Sequence, residues 1–189
     1  MATWIWIVIA VVAFLVGLGV ASAISTEARR RRSRRLREQF GPEYERAVRD
    51  YHGDRERAEY ELRSREQRVR RLQIRGLAPE DRARYAEDWR AVQARFVDDP
   101  SAAVTDADHL VGRVMEDRGY PVGDFEQQAS LISVDRPRVV ENYRAAHEIA
   151  IRNERGEAST EDLRNAMIYY RALFQDLVGP DEARRRDVA

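Results

Sequence analysis

Apolar residues follow two patterns along this chain. From Ala2 to Ser25 there is no charged side chain, and the run TWIWIVIAVVAFLVGLGVASAIS is continuously apolar or small. From Thr26 onward, apolar positions recur at spacings of three, four and seven among Arg and Glu, which is the signature of amphipathic helices. The first run measures roughly 33 Å as a helix, matching a hydrocarbon core of ~30 Å, and is read as a transmembrane helix over residues 1–25. Trp4 and Trp6 lie where indole rings favour the membrane interface. Gly17, Gly19, Ala21 and Ala23 form two small-xxx-small pairs suited to a helix partner, although small residues also suit a lone span.

Helix punctuation divides the remainder. Gly41-Pro42 predicts the start of a long helix with Tyr44, Ala47, Val48, Tyr51, Ala58, Leu62, Val69 and Leu72 on one face. Gly53 is a point where it kinks or splits, with Asp54 capping the second half. Pro79 opens a second helix carrying Tyr85, Trp89, Val92 and Phe96. Asp99-Pro100 opens a third with Val104, Ala107, Leu110, Val111, Val114 and Met115, stopped by Gly119 and Pro121. A short helix is expected over Phe125–Ile132. Asp135 is expected to cap a helix entered through Pro137, with Val139, Val140, Tyr143, His147 and Ala150 inward, ending near Gly156 and Glu157. Ser159 begins the last helix, with Leu163, Met167, Tyr170, Phe174 and Leu177 inward, closed by Gly179-Pro180. The expected fold is all-α: one transmembrane helix (1–25), a basic juxtamembrane segment (26–41), a bundle of five or six amphipathic helices (42–178) and a charged flexible tail (179–189). No repeat of fixed period is present.

Charge sharpens this picture. All 33 basic residues are arginine, which fits a GC-rich genome and warns against reading each as a phosphate clamp. Residues 26–35 hold six arginines against one glutamate, and the block Arg29, Arg30, Arg31, Arg32, Arg34 and Arg35 directly follows the apolar run. Cationic side chains resist translocation, so the positive-inside rule places the N-terminus outside and everything after the helix in the cytoplasm of a plasma membrane. The same block suits anionic headgroups, at about 1 kcal/mol per arginine. Ala21-Ser22-Ala23 resembles a signal-peptidase site, but the start lacks a basic n-region and the apolar run is long for an h-region. A signal-anchor is the reading kept. Residues 76–135 hold six arginines against thirteen acids, a poor match for a nucleic-acid surface. The chain contains no cysteine, which excludes disulfides and thiol chemistry.

The run YAEDWRAVQARFVDDPSAAVTDADHLVGRVMEDRGYP from Tyr85 to Pro121 resembles a family of uncharacterised bacterial proteins, many with an N-terminal membrane span. The stretch from Val134 to Phe174, with VDRPRVVENYRAAHEIA and STEDLRNAMIYYRALF, resembles it too. The resemblance implies a helical fold and a membrane anchor, and it brings no activity, cofactor or site residue with it.

Candidate chemistry is sparse. Asp106 and His109 share a helix face and would offer two ligands to a divalent ion, while Asp108 points about 200° away from Asp106. His147 would serve as a general base near a pocket, or as a core histidine bonded to a carbonyl or tyrosine. His52 reads as solvated. Asp98 and Asp99 stand where a helix cap is needed. The recurring aromatics are those of a bundle core. No phosphate-binding glycine loop, nucleophile elbow or H-E-x-x-H motif is present. The expectation is therefore a membrane-tethered interaction or scaffold module without catalytic, cofactor or metal residues. It contacts lipid and an unidentified protein, leaves room for a homo-oligomer and binds no nucleic acid. The alternative is a small-molecule or metal-binding enzyme domain using Asp106, His109 and His147.

Overall fold

The computed structural model describes Glu27 and residues 29–121 and 123–179. The transmembrane span read at 1–25, with Trp4 and Trp6, and the tail from residue 180 lie outside the described residues. Among those described, no helix is long and apolar enough to cross a membrane, and none forms a strand. The chain divides into two units, Met1–Gln39 and Phe40–Ala189. In the first, Glu27 and residues 29–39 are helical, and Arg31 pairs with Glu27 at 3.1 Å on an exposed surface.

The second unit is a helical bundle of α1 (Pro42–Asp50), α2 (Arg55–Arg71), α3 (Pro79–Asp98), α4 (Pro100–Asp117), α5 (Phe125–Asp135), α6 (Pro137–Glu154) and α7 (Thr160–Val178). The all-α expectation holds. The expected long first helix is instead two, α1 and α2, so the bundle has seven helices among the described residues rather than five or six. The break has a local cause: His52 and Gly53 both take positive φ, 53° and 87°. The Gly53 N–H reaches back to the Val48 carbonyl at 2.8 Å, closing α1 with a wrapped C-terminus. Asp54 then caps α2, its carboxylate accepting the Arg57 N–H at 3.1 Å.

Other boundaries follow their caps. Asp99 accepts the Ala102 N–H, and Asp124 accepts the Gln127 N–H. Ser159 and Asp162 form a reciprocal capping box at the start of α7. One cap differs from expectation. Asp135 is the last residue of α5, and Arg136 occupies the cap position of α6 without a side-chain cap bond. Pro137 tolerates this because its position needs no N–H partner. The expected short helix reaches Asp135, one turn beyond Ile132.

The core is organised around α4, which packs against α3, α6 and α7, while α6 and α7 share the most extensive interface. Val104, Ala107, Leu110, Val111, Val114 and Met115 have no exposed surface. Trp89 of α3 stacks on Phe174 of α7 with ring centroids 4.8 Å apart. α1 and α2 pack on each other and reach the rest through α6 and α5 respectively.

At the end of α4, Gly119 has φ +91° and a Cβ there would lie 2.6 Å from the Gln73 carbonyl oxygen, in the connection between α2 and α3. Gly112, in the middle of α4, is the opposite case: a Cβ meets nothing within 4 Å. Gly119→Ala therefore combines left-handed strain of about 1–3 kcal/mol with a backbone clash, whereas Gly112→Ala gains roughly 0.5–1 kcal/mol. Thermal unfolding followed by circular dichroism is expected to show the first substitution lowering Tm markedly and the second raising it.

Candidate functional site

Three helices bring a carboxylate, an imidazole and two phenols together. On α4, Asp108 follows Val104 by four residues and precedes Val111 by three, which sets it at the edge of the apolar face, half-buried against the neighbouring helices. Tyr170 of α7 donates its hydroxyl to Asp108 Oδ1 at 2.7 Å. His147 of α6 places Nδ1 3.6 Å from the same oxygen, within ion-pair range but longer than a hydrogen bond. That nitrogen is buried and makes no hydrogen bond. The His147 ring stacks on Phe125 of α5, centroids 3.7 Å apart and planes 9° from parallel. Phe125 also meets Tyr143 of α6, whose hydroxyl donates to Gln128 Oε1 at 3.2 Å.

Electrostatics link these groups. Burial pushes the Asp108 carboxyl upward, but His147 and Tyr170 outweigh it and hold it below the ordinary carboxylate range. Burial first, and then the nearby Asp108 charge, raise both Tyr143 and Tyr170 far above an ordinary phenol. The arrangement is a carboxylate that accepts one phenol hydroxyl, from Tyr170, beside the His147 imidazole, at the meeting of α4, α5, α6 and α7.

The residues singled out from sequence are distributed differently. Asp106 is engaged by Arg95 at 2.6 Å and His109 is exposed. Asp108, set aside for pointing away from Asp106, is the acid that meets His147. Among the described residues, no group of three His, Cys, Asp or Glu side chains could hold a metal ion. Asp99 acts as a cap, and His52 is exposed in the turn between α1 and α2. Arg29, Arg30, Arg31, Arg32, Arg34 and Arg35 are all exposed.

Two further charged constellations support the bundle. Glu43, in the first turn of α1, is 1% exposed. It accepts Arg144 of α6 at 3.1 and 3.4 Å and has Arg65 of α2 at 3.8 Å, while Arg144 also donates to Glu126 of α5 at 2.5 Å. Four helices thus share one ion cluster, buried at Glu43 and Arg144 and open to solvent at Glu126. At the far end of α7, Arg118 is 2% exposed and donates to the Leu177 carbonyl at 2.6 Å. Arg136 donates to the Asp176 carbonyl at 2.7 Å and pairs with the Asp176 carboxylate. Cations there satisfy orphan carbonyls and complement the negative helix end. Tyr120, beside both arginines, donates to Asp135 at 3.4 Å, and burial pushes its hydroxyl up to about 12.

No protein-family model, curated protein or solved structure matches the chain.

Two measurements follow from these charges. Glu43→Gln removes the buried counter-charge of Arg144, which keeps Glu126, and is expected to destabilise the fold by about 1–3 kcal/mol, read from denaturant midpoints. Asp162 is held down to about 2 by the Ser159 backbone and hydroxyl and then by Arg152, and Asp108 is also lowered. Their folded forms bind fewer protons than the unfolded chain, in which an aspartate titrates near ~3.9. Their stabilisation is full above that value and is lost as pH falls toward 2. A Tm series in acid should drop over this window, and Asp162→Asn should make the drop shallower.

Proposed function

We propose that the chain is a membrane-tethered helical module that recruits or organises a protein partner at the cytoplasmic face of a bacterial plasma membrane. The observation that carries this reading is the abrupt junction between the charge-free stretch 2–25 and the exposed arginine block at 29–35. The first is long enough to span, and the second opposes translocation and suits anionic headgroups. The resemblance to single-span bacterial proteins agrees with it. The bundle adds a surface that carries local ion pairs such as Arg90–Glu87, Arg164–Glu161 and Arg84–Asp81. Such a surface is suited to a protein partner more than to a polyanion. In this reading the small-residue pairs at 17/21 and 19/23 are available to a second copy in the membrane, and no catalytic step is assigned.

Absence of cysteine makes topology directly measurable. Val97 is 82% exposed, so Val97→Cys offers one clean label site. In intact cells it should resist a membrane-impermeant maleimide and react after lysis. Labelling in intact cells would overturn the orientation. Replacing the six arginines at 29–32, 34 and 35 by Gln should raise the externally labelled fraction. For the partner, in-cell cross-linking of the full chain, followed by extraction in mild detergent, should recover a defined protein that is absent when only residues 1–40 are expressed. Recovery of clean, partnerless monomer would overturn the module reading.

A further inference from the structure

The helices of the second unit are not equally rooted. Five apolar side chains are buried along α1 and α2 together: Tyr44, Ala47, Ala58, Leu62 and Val69. α4 alone buries seven, and α7 another seven. The apolar core that joins α3 to α7 takes in Val69, near the end of α2, but not the other four. α1 and α2 also bond to each other. The Tyr44 hydroxyl donates to Glu59 at 3.0 Å, and Arg65 stands 3.8 Å from Glu43. The pair is thus a self-bonded hairpin that packs through α2 on α5 and through α1 on α6.

Its two ends are attached to the rest in different ways. Just past Arg71, the connection to α3 is pinned through the backbone. The Arg75 N–H donates to the Arg118 carbonyl at 2.9 Å, and the Arg75 guanidinium donates to the Asp117 carbonyl at 3.0 Å. Leu77 follows, buried in the core. The α1 end is held by charge. Glu43 accepts Arg144 of α6 at 3.1 Å, and Arg46 lies 3.8 Å from Glu126 of α5. When a whole helix carrying one partner moves away, both ions of such a pair regain their hydration. Separation then costs less than deleting one partner in place.

We propose that α1 and α2 form a strap that opens as one unit while α3 to α7 stay folded, hinged at Arg71–Leu72 and latched by Glu43 on Arg144. Low apolar burial puts such a unit at the low end of the range of local stabilities in a fold. Opening turns residues 40–72 into a linker that reaches at most about 110 Å at full extension. Under the membrane-tether reading, the strap sets how far α3 to α7 extend from the arginine block. That consequence rests on the tether, whereas the opening lies within the unit that begins at Phe40 and is measured without it.

Hydrogen exchange of the full chain in detergent micelles, followed by mass spectrometry at low denaturant concentrations, tests the strap. Amides of α1 and α2 should exchange faster than those of α4 and α7, through one opening with a single denaturant dependence. Glu43→Gln should speed the strap amides about five-fold or more. Should that variant fail to fold, Arg46→Gln takes its place and should act in the same direction, since the Arg46 side chain is 40% exposed. Val104→Ala removes core volume at the start of α4. It should speed α4 and α7 amides roughly ten-fold and leave the strap amides unchanged, because the strap opens without breaking that core. Equal rates in α2 and α4, strap exchange with no denaturant dependence, or an equal acceleration of the strap by Val104→Ala would each overturn the proposal.

Discussion

Val104, Ala107, Leu110, Val111, Val114 and Met115 leave no surface to solvent, and every other helix must be placed so that this stays true. A helix with a wide apolar stripe cannot be covered by one partner. α4 needs α3 on one side and α6 and α7 on the others, and those three are held in turn by contacts among themselves. α1, α2 and α5 then attach through α6 and through each other. Burial is non-directional, so it dictates that α4 is covered but not in which register. Register comes from polar contacts with narrow geometry: Ser101 with Asn153, Asp108 with Tyr170, Glu43 with Arg144, and Arg118 with the Leu177 carbonyl.

This division of labour explains what the sequence reveals. Helix starts are local events, written in residues such as Pro79, Pro100, Asp54 and Ser159, so they read directly. Inward faces also read well, because a three-and-four spacing needs no knowledge of the partner: Tyr85, Trp89, Leu163, Tyr170 and Leu177 are all buried. The split at Gly53 was visible as an alternative, since one glycine permits either a kink or a stop. The structure resolves it through the positive φ of His52, a residue whose type does not announce that conformation. The displaced cap at Arg136 is a tertiary matter. Its guanidinium is drawn to the Asp176 carboxylate on α7, forty residues away and beyond the reach of local reasoning.

The polar cluster was only half legible. Asp108 carried a signal in its spacing from Val104 and Val111, which sets a carboxylate at the edge of an apolar stripe. That signal was masked by the neighbouring Asp106 and His109, which look like a pair on a helical wheel and turn out to face an arginine and solvent. Tyr143 and Tyr170 looked like ordinary core aromatics, and they are, but their hydroxyls needed acceptors once buried. Which acceptor each finds depends on helix register, and single-chain periodicity does not supply it. Glu43 gave no warning at all, because an acid in a first helical turn is common whether buried or not.

The C-terminal end of α7 is gripped by guanidiniums that flank α5 in sequence, Arg118 before it and Arg136 after it. Tension drawn from beyond Gly179 would therefore be passed straight to the boundaries of α4 and α6 rather than peeling α7 from its end. A tug on that end loads two charge-assisted bonds in parallel with the Trp89–Phe174 stack further up the helix. The end of α7 is therefore held by the same contacts that fix where α4 stops and α6 starts.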